Sequence, residues 1–329
     1  AARHAAAQTS LPGGVRTRRK RRFTSRTFRT NLYFHLFTAP WLLGFIFLSL
    51  IPLIFGLGIS FTNYDGYNWG AFKFVGMKNY ARAVTQLDVL AALKNTAVYS
   101  AIVVPVGLVI SFLLAIMLNQ PIKGRGLFRT LYYIPSVLPV TGAVWAWRLM
   151  LSKNTGLLNA FLSLFRPGTA INWINEQWML VMLLYAWWHA GGAMVIFLAG
   201  LQGIPKELYE AAYLDGANRV QVFLNITIPL VTPVLFFQLI MGLIGSLQIM
   251  VVPILLAGSG AMGGAAALGR DRYFYMVYMY SQIFDYQRFG YGVALSWLFF
   301  VMVLILTVIV LRSAKYWVYY EVAQEGAEA

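Results

Sequence analysis

Six stretches of the chain, residues 36–60, 96–118, 131–150, 179–201, 230–257 and 292–311, are apolar over the length a helix needs to cross a bilayer. A hydrocarbon core of roughly 30 Å, at about 1.5 Å rise per residue, takes about 20 residues. No water at that depth satisfies a free peptide group, so helices and closed barrels are the spanning structures. These runs are continuous and lack the period-two alternation of barrel strands, which selects helices. Composition agrees: 59% of residues are hydrophobic and 11% charged, where soluble domains carry about 25% charged residues. The expected fold is all-α, a polytopic membrane protein with six transmembrane helices. The first stretch is nearly twice the length of a signal-peptide core, and no small-x-small cleavage pattern follows it.

The net charge of +15 does not imply a nucleic-acid partner. Nine Lys/Arg and no acid lie in residues 1–30, which lack an apolar period and are expected to form a disordered basic cytoplasmic tail attracted to anionic membrane lipids. Counted over the loops, Lys/Arg number 16 on the side holding both termini and 9 on the other, so the positive-inside rule places the N- and C-termini in the cytoplasm. Residues 31–318 then form the membrane domain and 319–329 a short cytoplasmic tail. Arg148, the one charge inside a span, lies close enough to its outer end to snorkel. Prolines at 52, 105, 135, 139 and 253 predict bent helices, and glycines at 142, 191, 192, 242 and 245 predict close packing around a pathway.

Several activities are excluded. No cysteine is present and the three histidines are scattered, which leaves neither a metal site nor a cysteine nucleophile. There is no G-x-x-x-x-G-K-[ST] phosphate loop, and no G-x-S-x-G or H-E-x-x-H pattern. All eleven acids fall in loops, near span ends or in the C-terminal tail, whereas ion-coupled carriers use carboxylates at mid-membrane. The chain is not expected to be an enzyme, and an energy source such as ATP would have to lie on another subunit.

The loop 204–229 carries the sharpest local signals. Pro205 and Glu207 suit the first turn of a helix, Gly216 supplies a left-handed stop, and Asn218 can cap a second short helix that Pro229 closes. Leu208, Ala211 and Ala212 share one face, and Val220, Phe223 and Leu224 another. Two short amphipathic helices form a knob whose apolar stripe needs another surface to cover it.

Glu210-Ala211-Ala212, three residues, Gly216, nine residues, then Ile226-x-Ile228-Pro229 resembles the EAA motif of ABC-importer permeases, departing only by Ile228 for Leu. Phe197–Pro205, Asp215–Ala217, Gly156–Asn159, Gly245–Gln248 and Gly290–Ala294 are similar to the carbohydrate-uptake (MalF/UgpA-like) branch, over residues 36 to 318. The resemblance implies the type I importer (MetI-like) permease fold. It implies that the loop docks in a cleft of two ATPase subunits, which bind the ATP and Mg2+; this chain itself holds no cofactor and no metal. Glu210 would contact the ATPase, Ala211 and Ala212 would allow close approach, Gly216 would make the bend, and Asp215 would fix it by hydrogen bonding. Ile226 and Pro229 complete the motif. A second homologous permease and an extracytoplasmic solute-binding protein are the further partners, with a sugar or oligosaccharide as cargo; a non-sugar solute and, further off, ion-coupled transport are the alternatives. Sugar recognition uses amides and aromatic faces, which points to Gln248, Gln238, Trp188, Ser296 and Trp297. The chain departs from its relatives at Ile249-Met250-Val251 and in the Gly/Ala-rich stretch 258–268.

Overall fold

A computed structural model describes residues 25–68, 70, 72–257 and 272–319. The basic tail up to residue 24, the Gly/Ala-rich stretch and the tail beyond residue 319 lie outside the described residues. The chain divides into two compact units, Ala1–Phe55 and Gly56–Ala329. Among the described residues the structure is helical, with one isolated bridge between Thr62 and Phe74.

The first unit holds α1 (Ser25–Phe45), a π-helical turn (Ile46–Leu50) and the start of α2 (Ile51–Ser60). Helix thus begins inside the segment that composition assigned to the tail, at Ser25 instead of residue 31. Pro52 lacks an N–H and its ring presses on the carbonyl four residues back. The wider turn before it makes room: the Ile51 N–H bonds Ile46 O, five residues back.

The second unit continues through α3 (Lys78–Thr85), α4 (Leu87–Asn119), α5 (Arg125–Val137), α6 (Val140–Met150), α7 (Leu157–Ser163), α8 (Trp173–Glu176), α9 (Trp178–Trp188) and α10 (Gly191–Gln202). There follow α11 (Lys206–Leu214), α12 (Arg219–Val222), a π-turn (Phe223–Thr227), α13 (Ile228–Leu247), α14 (Val251–Ala257), α15 (Tyr275–Tyr280), a π-turn (Ser281–Asp285) and α16 (Phe289–Ser313). Four stretches among the described residues are long and apolar enough to span a membrane: Leu32–Ser60, Leu87–Asn119, Arg219–Leu247 and Phe289–Tyr316. Helices α9 and α10, bent by 42° at their junction, make a fifth if counted as one.

Three of the six expected spans are broken in the structure. The third is two helices of 13 and 11 residues, because Pro139 drives Leu138 into an extended conformation (ψ 141°). The fourth breaks at His189–Ala190, where Ser111 Oγ on α4 donates to the buried Ala190 carbonyl at 2.9 Å. The fifth stops at Leu247 and restarts at Val251, two residues ahead of Pro253, whose ring would meet the carbonyl of Ile249 in a continuous helix.

Helix α4 runs through all three main cores. One joins it to α6, α9, α14 and α15 around Val144, Val181, Met182, Leu256 and Phe274. Another joins it to α3, α13, α15 and α16 around Ala92, Tyr275, Tyr291 and Leu295. The third joins it to α10 and α13 around Ala115, Met194, Phe197 and Val231. Thr96 on α4 is fully buried; its hydroxyl accepts from the Tyr275 N–H at 2.8 Å and donates to Ala92 O. Outward faces stay apolar, with Leu113 and Ile305 more than half exposed, as lipid contact requires.

Glycine is required at few of the predicted positions. At Gly191 a Cβ would strike the main chain of Tyr132 on α5, and at Gly192 it would touch Ser136, whereas at Gly142 and Gly245 it would meet nothing within 4 Å. Arg148 is half-buried, its guanidinium 4.7 Å from the centre of the Trp145 ring.

Candidate functional site

The knob is built from the main chain outward. Helix α11 starts after Pro205 and ends in a Schellman turn: the Gly216 N–H bonds Tyr213 O at 3.1 Å and the Ala217 N–H bonds Ala212 O at 2.9 Å. Gly216 takes φ +80°, a left-handed conformation that costs side chains with a Cβ about 1–2 kcal/mol. Asn218 then caps α12 with a full capping box, its Oδ1 accepting from the Gln221 N–H at 2.9 Å and Gln221 Oε1 from the Asn218 N–H at 2.8 Å.

Three expectations about this loop are corrected. Pro229 does not close a short helix. It sits in the first turn of α13, and the helical path runs on from Arg219 to Leu247. The π-turn before it, with the Ile228 N–H bonded to Phe223 O, removes the clash that would otherwise end the helix. The Asp215 carboxylate is exposed and the bend is closed by main-chain bonds, with the Asp215 N–H on Ala211 O at 3.0 Å. The apolar stripe also divides. Leu208, Ala211, Leu214, Val220 and Leu224 face out, Leu214 at 89% exposure. Ala212 turns inward beside Tyr209, and Phe223 stacks on Phe112 of α4 at 6.3 Å.

Glu210, Ala211, Asp215 and Gly216 thus lie on the exposed side of the knob, while Ala212, Ile226 and Pro229 are half-buried. Tyr209, which the motif does not single out, anchors the knob. It is half-buried against the core that joins α4, α10 and α13, and its hydroxyl lies 3.2 Å from Thr227 Oγ1. The signal in sequence was the second face of α11, where Tyr209, Ala212 and Tyr213 recur at i, i+3, i+4.

Four of the five residues proposed to meet a solute are distributed over three cavities. Gln248 and Ser296 come together in one of about 320 Å³, with Met276, Met279, Phe299 and Phe300. Gln248 is exposed in the break between α13 and α14 instead of lying mid-helix. The Ser296 hydroxyl already donates to Gly292 O at 3.0 Å. Gln238, buried, lines a second cavity of about 220 Å³ with Ser111 and His189. Trp188 borders a third of about 310 Å³ with Tyr132 and Trp187, its ring edge-on to Trp147 at 5.9 Å. Trp297 lines none of them and packs edge-on against Phe300 at 5.6 Å. No cluster of three or more His, Cys, Asp or Glu able to hold a metal occurs among the described residues.

Long apolar helices around mostly apolar cavities that carry a few polar groups, with an exposed helical knob between two of them, are the features of a helical protein built for a membrane. Residues 107–318 match the model of the family described as "Binding-protein-dependent transport system inner membrane component". The chain is 35% identical over 308 residues to the probable ABC transporter permease protein YesP of Bacillus subtilis, covering 92% of this chain and 96% of that one. It is 33% identical to the arabinooligosaccharides transport system permease protein AraP of Bacillus subtilis, over 84% of this chain and 87% of AraP. It is 31% identical to the trehalose/maltose transport system permease protein MalF of Thermococcus litoralis, over 74% and 80%. A crystal structure of a bacterial ABC transporter importing the polysaccharide alginate superposes with a TM-score of 0.72 at 19% identity, over 88% of this chain and 97% of that one. The chain belongs to the binding-protein-dependent inner membrane permeases of ABC transporters.

Proposed function

We propose that this chain is one half of the translocation pathway of an ATP-driven importer of a sugar or oligosaccharide, with the exposed knob of α11 and α12 as its docking element for the ATPase. The observation that carries the reading is the knob itself: an apolar, acid-edged surface around Glu210 and Ala211 on α11, joined by the left-handed turn at Gly216 to α12, which is continuous with α13. Two ATPase subunits bind ATP and Mg2+ and pull the knobs of this chain and a second, homologous permease together. The names of the relatives support the cargo class: arabinooligosaccharides, trehalose or maltose, and alginate. One solved relative of the same fold was captured with an oligosaccharide-bound periplasmic protein, which supports delivery by a binding protein. The helical segments are taken as six membrane crossings, with α5 and α6 together forming the third and both termini cytoplasmic. Gln248 and Ser296, which share a cavity, are the solute contacts favoured over Gln238, Trp188 and Trp297.

The test is ATP-dependent uptake in proteoliposomes holding this chain, its partner permease, the ATPase and the binding protein. Glu210→Lys and Gly216→Pro are each expected to abolish uptake while the complex still inserts. Wild-type uptake by both variants would remove the knob from the coupling path.

A further inference from the structure

Helix α11 is held to the rest of the molecule mainly through one residue. Its outward face is exposed: Leu208, Ala211 and Leu214 cover nothing, and Glu207 and Glu210 are in solvent. Beside it lies a cleft of about 400 Å³, bounded by Asn119 and Gln120 at the end of α4, by Tyr209 and Tyr213 of α11, and by Arg219 of α12. On that side there is space where packing would otherwise be. What crosses from α11 into the bundle is Tyr209, half-buried against the core of α4, α10 and α13, with its hydroxyl 3.2 Å from Thr227 Oγ1. Thr227 is 8% exposed and closes the π-turn that leads into α13.

Two properties make this contact a transmission element. It bridges α11 to a point 18 residues further along the chain, so it bypasses the bend at Gly216, which rests on local bonds alone. It also ends in a π-turn, whose hydrogen bonds are in a register that an α-helix does not use. A displacement of α11 therefore reaches α13 through the tyrosine ring and the hydroxyl pair sooner than through the connecting turn. Packed contacts of this kind pass displacement on as discrete shifts.

We infer that Tyr209 is a positioning residue for coupling: through Thr227 it ties the knob to α13, so that closure of the ATPase moves the pathway. The inference rests on the knob being the docking element. A tyrosine that only filled space would be replaced without loss by phenylalanine, whose ring is the same.

The experiment measures solute imported per ATP hydrolysed, together with ATPase kcat and KM, in proteoliposomes of the full importer. The variants are Tyr209→Phe, Thr227→Val, the double variant and Thr227→Ser. Tyr209→Phe and Thr227→Val are each expected to lower solute imported per ATP by about fivefold, the factor a single hydrogen bond is worth. The double variant falls no further than either single one, and Thr227→Ser, which keeps the hydroxyl, restores the ratio. An unchanged ratio in Tyr209→Phe, or independent losses that multiply in the double variant, overturns the link. Glu210→Arg on the outward face separates the two levels. If it stops uptake while the Tyr209 variants behave as wild type, the knob docks but Tyr209 does not transmit. If it too leaves the ratio unchanged, the docking assignment has failed.

Discussion

Replacing Gly191 by alanine sets the packing of α10 on α5 against helix propensity, and the structure decides which wins. A Cβ built on Gly191 falls 2.5 Å from the carbonyl carbon of Tyr132 and nearer still to its oxygen. Carbon–carbon contacts settle at about 3.5–4.0 Å, so the two helices must part by about 1 Å. The obstructing atoms are backbone and cannot swing aside as a side chain would. Overpacking costs about 1–3 kcal/mol, and a main-chain obstacle belongs at the upper end. Alanine is the better helix former by about 1 kcal/mol, so the net expectation is a loss of about 2 kcal/mol. Gly107, in the interior of α4 beside the Gln238 cavity, has nothing within 4 Å of its Cβ position. Gly107→Ala should therefore be neutral or stabilising by up to about 1 kcal/mol. The assay is thermal unfolding of the purified importer complex in detergent, followed by tryptophan fluorescence. If Gly191→Ala unfolded at or above the wild-type temperature, the close approach of α10 and α5 would not be limiting, and the reasoning would be refuted.

Asn218→Ala removes the side-chain acceptor of the Gln221 N–H while leaving the Asn218 N–H on Gln221 Oε1, and is expected to cost about 1 kcal/mol, seen as faster amide exchange at Gln221 with the α4 core unchanged; equal protection in wild type and variant would show that the cap contributes nothing. The turn at Asp65 gives a pH prediction. The N–H groups of Asn68 and Tyr67, each 2.9 Å from its carboxylate, hold the Asp65 pKa below the ordinary carboxylate value. A lowered folded-state pKa adds stability that is present above the unfolded value of about 3.9 and is lost as pH falls through the folded value. Exchange at Tyr67 and Asn68, corrected for its intrinsic rate, should stay constant from pH 7 to 5 and rise only below about pH 4; a rise between pH 6 and 5 would contradict the assignment.

Local chemistry was legible and long-range chemistry was not. The left-handed Gly216 and the Asn218 cap follow from rules that act within five residues, and both are seen. Asn159 and Gly290 drew notice only as parts of a family resemblance, and the structure supplies their physical reasons. Asn159 is buried; its amide donates to Lys153 O and Ile171 O and accepts from Trp173 Nε1, which fastens α7 to α8. At Gly290 a Cβ would run into the Thr62 main chain, and its N–H bonds Tyr64 O at 2.8 Å. Nothing local announces that Gln248 and Ser296 share a cavity, or that Tyr209 reaches Thr227, since those pairs form only once the bundle packs.

The prolines show where a sequence rule divides. Pro139 and Pro253 interrupt their spans, with Leu138 extended and α14 restarting at Val251. Pro52 and Pro229 do not: in both, the residue just before the proline bonds a carbonyl five residues back, and the helix continues. Each proline removes the same donor and brings the same ring, and the turns ahead of Pro229 and Pro139 differ in what holds them. Before Pro229 that turn is pinned by Phe223 on Phe112 and by buried Thr227 beside Tyr209, contacts that would be lost if the chain left the helix. Before Pro139 the turn carries Ser136, whose hydroxyl bonds only within its own helix, and Val137 at 59% exposure. Opening the chain there gives up little. At Pro229 those contacts favour a π-turn over a break, which keeps α12 joined to α13 by unbroken helix.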